Sequence, residues 1–208
     1  MKKSFSLIEL IFVIFILTLI GSYINIKFQD NKLNDAANRL VLYLKETRYQ
    51  SLIDNKYKSN DELWHKKRWT LKFFRCNKNV GGIYYSIYSD TNETGHPSFE
   101  EALNDPLTNK KIYSTNKCKI INNRSKYVLL TKEYNIKDVE VSCNSTTSLG
   151  QISFGNNGKV YSKLSSYENE YNKYEIKNSC SIKLISQENV VKEIILEPNS
   201  GYVYKKRE

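Results

Sequence analysis

The chain begins MKKSFSLIELIFVIFILTLIG (residues 1–21), where two lysines and a serine precede an apolar run that continues to Ile26. As a helix, the stretch from Phe5 to Ile26 is long enough to cross the roughly 30 Å hydrocarbon core of a bilayer. Lys2 and Lys3 predict a cytoplasmic N-terminus by the positive-inside rule. Because only a poor small-residue cleavage site follows the run, we expect it to stay with the protein as an anchor.

Glu9 is the acidic residue inside this apolar run. An ionisable side chain in lipid costs about 3 kcal/mol on insertion scales, and it usually has a partner. Two interpretations fit this position. The carboxylate lies shallow and reaches the headgroups, or it pairs with a positive group on a neighbouring subunit.

Helical spacing continues beyond the apolar run. One helix is therefore predicted from Phe5 to about Asn55, with its first half in the membrane and its second half packed on a sheet. The core-facing stripe comprises Leu33, Ala36, Ala37, Leu40, Val41, Leu44, Thr47 and Leu52. The opposite faces carry Lys32, Asp35, Arg39, Lys45, Glu46 and Arg48.

From Trp64 onward the pattern changes to β-branched and aromatic runs separated by Gly-Gly, Asn-Asn-Gly and Asn-Ser-Gly turns. Such alternation predicts antiparallel strands. The predicted strand regions are residues 68–76, 81–89, 119–131, 138–145, 150–162 and 180–204. A helix followed by strands indicates the α+β class.

The segment Lys3-Ser-Phe-Ser-Leu-Ile-Glu9 resembles the class III leader of type IV pilins and type II secretion pseudopilins. The resemblance implies that a prepilin peptidase cleaves between Ser4 and Phe5 and that the new Phe5 amine is methylated. Glu9, the fifth residue after that cut, would pair with the N-terminal amine of an adjacent subunit. Ser4 departs from the family, which most often has Gly there.

Three regions follow from this resemblance: a leader (residues 1–4), a transmembrane and assembly helix (5–29), and a periplasmic or extracellular head with the pilin fold (30–208). The implied location is the inner membrane as a single span, and then a pilus or pseudopilus. The partners would be other pilin or pseudopilin subunits and the peptidase. Arg48, RWTLKF, ISFGNNGKVY and the closing strand pair loosely resemble the minor pseudopilin H and FimT-like subfamily. The machine could be a type IV pilus, a type II secretion system or a DNA-uptake (competence) filament.

Four cysteines, Cys76, Cys118, Cys143 and Cys180, follow the apolar run. In an exported domain they predict two disulfides with three possible connectivities, and four free buried thiols are the alternative. The two histidines, His65 and His96, have no positioned nucleophile or acid beside them in the sequence. We therefore expect surface or packing roles for them and no enzymatic activity.

The stretch DTNETGHPSFEE (residues 90–101) matches a relaxed twelve-residue calcium loop. Oxygen donors alternate along it, a glycine allows the sharp turn, and a glutamate closes it. The candidate calcium ligands are Asp90, Asn92, Thr94, His96, Ser98 and Glu101. A solvated turn is the alternative, and Asn92 also lies in an acidic N-glycosylation sequon.

The net charge of +10 favours anionic partners. Clustered lysine and arginine with interleaved tyrosine could bind DNA, as in a receptor minor pilin for natural transformation. Ordinary solvated lysines on strand edges are the alternative. The candidate nucleic-acid contacts are Lys66, Lys67, Arg68, Lys205, Lys206 and Arg207.

Overall fold

A computed structural model describes residues 7–207, apart from the side chains of residues 23–30. Helix α1 spans Leu7–Ile53, so the predicted C-terminal end near Asn55 is confirmed to within about two residues. The predicted stripe is buried from Leu33 to Thr47, except for Val41, which is half-buried. The prediction was wrong for Leu52, which is 39% exposed, because the adjacent Ser51 takes the core-facing position on this turn of the helix.

Within residues 7–207, eight strands form two antiparallel four-stranded sheets, ordered β2-β1-β4-β5 and β3-β6-β7-β8. The predicted α+β class with antiparallel strands is confirmed. The strands are β1 Thr70–Arg75, β2 Ile83–Tyr88, β3 Ile136–Val141, β4 Gln151–Phe154, β5 Val160–Tyr161, β6 Cys180–Ser186, β7 Val191–Leu196 and β8 Val203–Lys205. A short helix α2 spans Leu130–Tyr134, and 3-10 turns span Trp64–Lys67 and Lys126–Val128.

The strand predicted within residues 119–131 is wrong, because this region holds a 3-10 turn and the start of α2. Its apolar residues Val128, Leu129 and Leu130 are buried as one compact turn. Thr131 Oγ1 accepts a hydrogen bond from the backbone N–H of Ile83 (2.9 Å) and donates one to the carbonyl of Ile136. A short apolar run does not distinguish a strand from a buried helical turn, so the periodicity was ambiguous here.

The second half of α1 packs on both sheets and is tied to two of their turns near its end. Arg48 Nε donates to the carbonyl of Ser200 (2.6 Å), and Ser51 Oγ donates to the carbonyl of Gly155 (3.2 Å). Gly201 has a φ of +62°, and a Cβ there would lie 3.0 Å from the carbonyl oxygen of Gly158. Only glycine satisfies both the left-handed backbone and this close approach.

Two disulfides join Cys76 to Cys118 and Cys143 to Cys180, which confirms the predicted number and decides the connectivity. The first ties the end of β1 to the long connection between β2 and α2. The second continues the β3–β6 ladder, in which Val141 faces Ile182. Cysteines paired in this way are typical of domains that fold in an oxidising compartment.

Arg39 was predicted on the charged face of α1, but its side chain is only 21% exposed. Its guanidinium carbon lies 3.8 Å from the centre of the Tyr127 ring. One of its nitrogens lies 4.0 Å from a carboxylate oxygen of fully buried Asp105. The long connection between β2 and α2 therefore covers this face of the helix.

Candidate functional site

The first half of α1 exposes a continuous apolar surface. Between residues 7 and 20, twelve large apolar side chains are 42–75% exposed: Leu7, Ile8, Leu10, Ile11, Phe12, Val13, Ile14, Phe15, Ile16, Leu17, Leu19 and Ile20. They surround the helix and do not form a single stripe. A helix that is apolar on all sides is buried in a larger assembly or in a membrane. Burying these side chains would release on the order of 20 kcal/mol.

Glu9 lies in the first turn of α1 and is exposed. A carboxylate at this end of a helix interacts favourably with the partial positive charge of the helix N-terminus. It is the charged residue of the segment 7–26. Ser4 and Phe5, the predicted sites of cleavage and methylation, lie outside the described residues.

Within residues 7–207, no helix is both long enough and apolar enough to cross a bilayer.

In the candidate calcium loop, the carboxylate of Glu101 is engaged by the loop itself. One oxygen accepts hydrogen bonds from Thr91 Oγ1 (2.9 Å) and from the backbone N–H of Asn92 (2.8 Å). The other accepts from Ser98 Oγ (2.8 Å). Although burial alone would raise the pKa of Glu101, the hydrogen bonds from Asn92, Ser98 and Thr91 hold it below its usual value.

Two other candidate ligands of this loop, Asn92 and Asp90, also accept hydrogen bonds from within the loop. Asn92 Oδ1 accepts hydrogen bonds from both the backbone N–H (3.0 Å) and the hydroxyl (2.7 Å) of Thr94. Asp90 Oδ2 accepts from the backbone N–H of Gly95 (2.9 Å). Within the described residues, no group of three or more His, Cys, Asp or Glu could hold a metal ion. Calcium binding by this loop stays a prediction. Asn92 is exposed, as a glycosylation site requires.

The cluster at residues 66–68 offers less positive surface than its sequence predicts. Lys67 Nζ forms ion pairs with Asp61 (2.6 Å) and Glu93 (2.8 Å). Arg68 is only 6% exposed and donates a hydrogen bond to the carbonyl of Tyr171 (2.7 Å). These neighbours neutralise or bury two of the three candidate DNA contacts.

The C-terminal cluster combines cations with exposed aromatic rings. Tyr202 and Tyr204 are 56% and 37% exposed, and their ring centres lie 5.6 Å apart. Lys206 Nζ pairs with Glu193 (2.7 Å), Lys205 Nζ contacts the side chain of Asn34, and Arg207 is exposed. This edge therefore offers flat aromatic surface beside positive charge.

The two histidines lie in different surroundings. His65 is buried, and its Nε2 lies 3.1 Å from the carbonyl oxygen of Ser165. Burial lowers the pKa of His65. His96 is exposed in the 90–101 loop. The packing role expected for His65 agrees with this position.

The structure also forms a polar cleft that sequence reasoning missed. It has a volume of about 330 Å³ and is lined by β1, the end of β2, and loops near residues 90–95, 145–148 and 163–166. Lys72 and Lys163 lie on its wall although they are 91 positions apart in the chain. The hydroxyl-rich run NSTTS (residues 144–148) was the one local signal for it.

Comparison with known proteins shows no relative: no protein-family model matches the chain, and no curated protein or solved structure matches it. The resemblance at residues 3–9 therefore stays a prediction.

Proposed function

We propose that this chain is a minor pilin or pseudopilin, a non-enzymatic subunit of a type IV pilus, type II secretion or DNA-uptake filament. The observation that carries the proposal is the exposed apolar first half of α1, continuous with a second half packed on the head. Twelve exposed apolar side chains in that half need a covering surface, and neighbouring subunits or lipid supply one. The disulfides support export of the head.

The proposed mechanism is assembly. Cleavage after Ser4 exposes the Phe5 amine, and the α1 segment holds the subunit in the inner membrane with the head outside. On entry into the filament, Glu9 pairs with the amine of an adjacent subunit. A carboxylate and an ammonium attract each other far more strongly in an apolar environment than in water, so this pair would favour one register between helices.

The test measures how much of the full-length Glu9→Gln variant enters filaments in the native host. The filaments are sheared from the cells for this measurement. We expect strong loss from the filament fraction with normal amounts in the membrane, because the amide keeps the shape and removes the charge. Glu188→Gln is the matched control, since Glu188 is exposed in the β6–β7 turn. Normal incorporation of Glu9→Gln would contradict the mechanism.

Mass spectrometry of the mature N-terminus checks cleavage at Ser4, and an uncleaved chain in filaments would contradict processing.

A second proposed function, DNA capture by the head, is favoured by one observation. The exposed Tyr202–Tyr204 pair offers two adjacent rings on which bases could stack, and Lys45 Nζ lies 5.8 Å from the centre of the Tyr202 ring. Stacking contributes about 1–3 kcal/mol per base in single-stranded nucleic acid. The basic tail at residues 205–207 would contact phosphates.

This function is tested by gel shifts of the full chain in detergent with a single-stranded oligonucleotide at several salt concentrations. We expect Tyr202→Ala to weaken binding about tenfold. Tyr167→Ala is the matched control, because Tyr167 is 71% exposed and lies far from the C-terminal edge in sequence. Arg207→Gln should reduce the salt slope by about 0.7. Binding that does not depend on salt or on Tyr202 would refute DNA capture at this edge.

A further inference from the structure

The polar cleft between β1 and the 145–148 loop is independent of both proposed functions. Its wall carries three lysines and one carboxylate, Lys66, Lys72, Lys163 and Asp90, which leaves an excess of two positive charges. Lys66 Nζ donates to the carbonyl of Glu93 (2.9 Å), so it is held in place. The cleft therefore concentrates positive charge in a partly enclosed space, where anions are attracted more strongly than at an open surface.

Lys72 and Asp90 are the least solvated charges of this wall. Burial lowers the pKa of Lys72, and the charge of nearby Asp90 partly offsets the effect. Asp90 is only 5% exposed, and its Oδ1 is buried without a hydrogen-bond partner among the described residues. Buried polar atoms are usually satisfied. The wall therefore holds one buried acceptor atom that no described residue satisfies.

The rest of the wall is rich in groups that both donate and accept hydrogen bonds. Thr70, Gln151, Thr146 and Ser148 contribute hydroxyl or amide groups to it. Thr146 Oγ1 lies 2.9 Å from Ser148 Oγ and 2.7 Å from Asn144 Oδ1, so the hydroxyls of this loop are ordered. A surface of this kind complements a ligand that carries several hydroxyl groups.

We infer that this cleft binds a small acidic sugar, a polyhydroxyl ligand carrying one carboxylate or phosphate group. The lysines would bind the oxyanion, and the hydroxyls of the 145–148 loop would bind the ring hydroxyls. The volume of about 330 Å³ is at the lower end of small-molecule sites and suits one or two sugar rings. A metal cation does not suit the cleft, because ammonium groups outnumber carboxylates.

The experiment is isothermal titration of the full chain in detergent at low salt with four probes. Glucuronate and glucose 6-phosphate test the two oxyanions, glucose tests the sugar alone, and inorganic phosphate tests the anion alone. We expect at least one acidic sugar to bind at least about tenfold more tightly than glucose and than inorganic phosphate. Phosphate binding as tight as that of both acidic sugars would overturn the sugar assignment. Absence of binding by both acidic sugars would overturn the site.

Two substitutions in the wall should act in opposite directions. Lys72→Met removes a positive charge and should weaken binding about tenfold, whereas Asp90→Asn removes the opposing charge and should strengthen it about threefold. Lys78→Met is the matched control, because Lys78 is exposed in the β1–β2 turn and does not line the cleft. Weaker binding by both wall variants, with unchanged melting temperatures, would refute the charge mechanism.

Discussion

The Cys76–Cys118 disulfide should contribute strongly to the stability of the head. Replacing both cysteines by alanine removes a covalent link across a sequence separation of 42 residues. Closure of a loop of this length lowers the entropy of the unfolded chain by about 13 cal/mol/K, equivalent to about 4 kcal/mol at 25 °C. Because whole domains are stable by only about 5–15 kcal/mol, this loss is a large share of the total.

The Cys143–Cys180 disulfide offers an internal comparison. Its separation of 37 residues predicts nearly the same entropic contribution, about 0.1 kcal/mol smaller. Each double alanine variant should therefore lose about 4 kcal/mol. Since Cys180 is fully buried, a small additional packing loss is expected for the second pair.

Urea unfolding followed by tryptophan fluorescence measures both effects in the full chain. Trp64 and Trp69 are half-buried in the head and should report its unfolding. The slope of the free energy against urea should also rise in each variant, because an uncrosslinked chain exposes more surface when it unfolds. A loss below about 1 kcal/mol in either variant, with an unchanged slope, would refute the loop-closure reasoning.

Three further perturbations test the packing of the head. Burial alone would raise the pKa of Asp105, but hydrogen bonds from Tyr43, the backbone N–H of Leu107, and other donors hold it below its usual value of 3.8. Its ionised form therefore stabilises the fold above that pH. Asp105→Asn should cost about 2–3 kcal/mol at neutral pH by urea unfolding, and the difference from wild type should shrink as the pH falls below about 4. A constant difference would contradict this assignment. Gly201→Ala should cost about 2–3 kcal/mol and Gly81→Ala only about 1 kcal/mol in the same assay, because both have positive φ but only Gly201 has backbone within 3.0 Å of a new Cβ. Equal losses would exclude the clash. Chelator should leave the melting temperature unchanged, since both carboxylate oxygens of Glu101 already accept hydrogen bonds from within the 90–101 loop, and a clear fall would establish the calcium site.

Local patterns in the sequence were sufficient for the longest features of the fold. The spacing of Leu33, Leu40 and Leu44 predicts which face of α1 is buried, because helical periodicity is a property of neighbouring residues. Alternation in β6 likewise predicts a strand with one buried face. The even number of cysteines predicts two disulfides, but their connectivity depends on which strands become neighbours.

Only the tertiary structure decided how distant residues are used. Arg39 and Arg68 read as surface cations, yet each lies against an aromatic ring supplied from far along the chain. The 119–131 segment forms helical turns, and its last residue, Thr131, bonds to the backbone of β2. The cleft exists because β1, the end of β2 and three loops meet, which no local pattern encodes. Sequence by itself determined the helix and the class of fold through short-range periodicity, whereas long-range packing determined which charges are buried, paired or left to face a ligand.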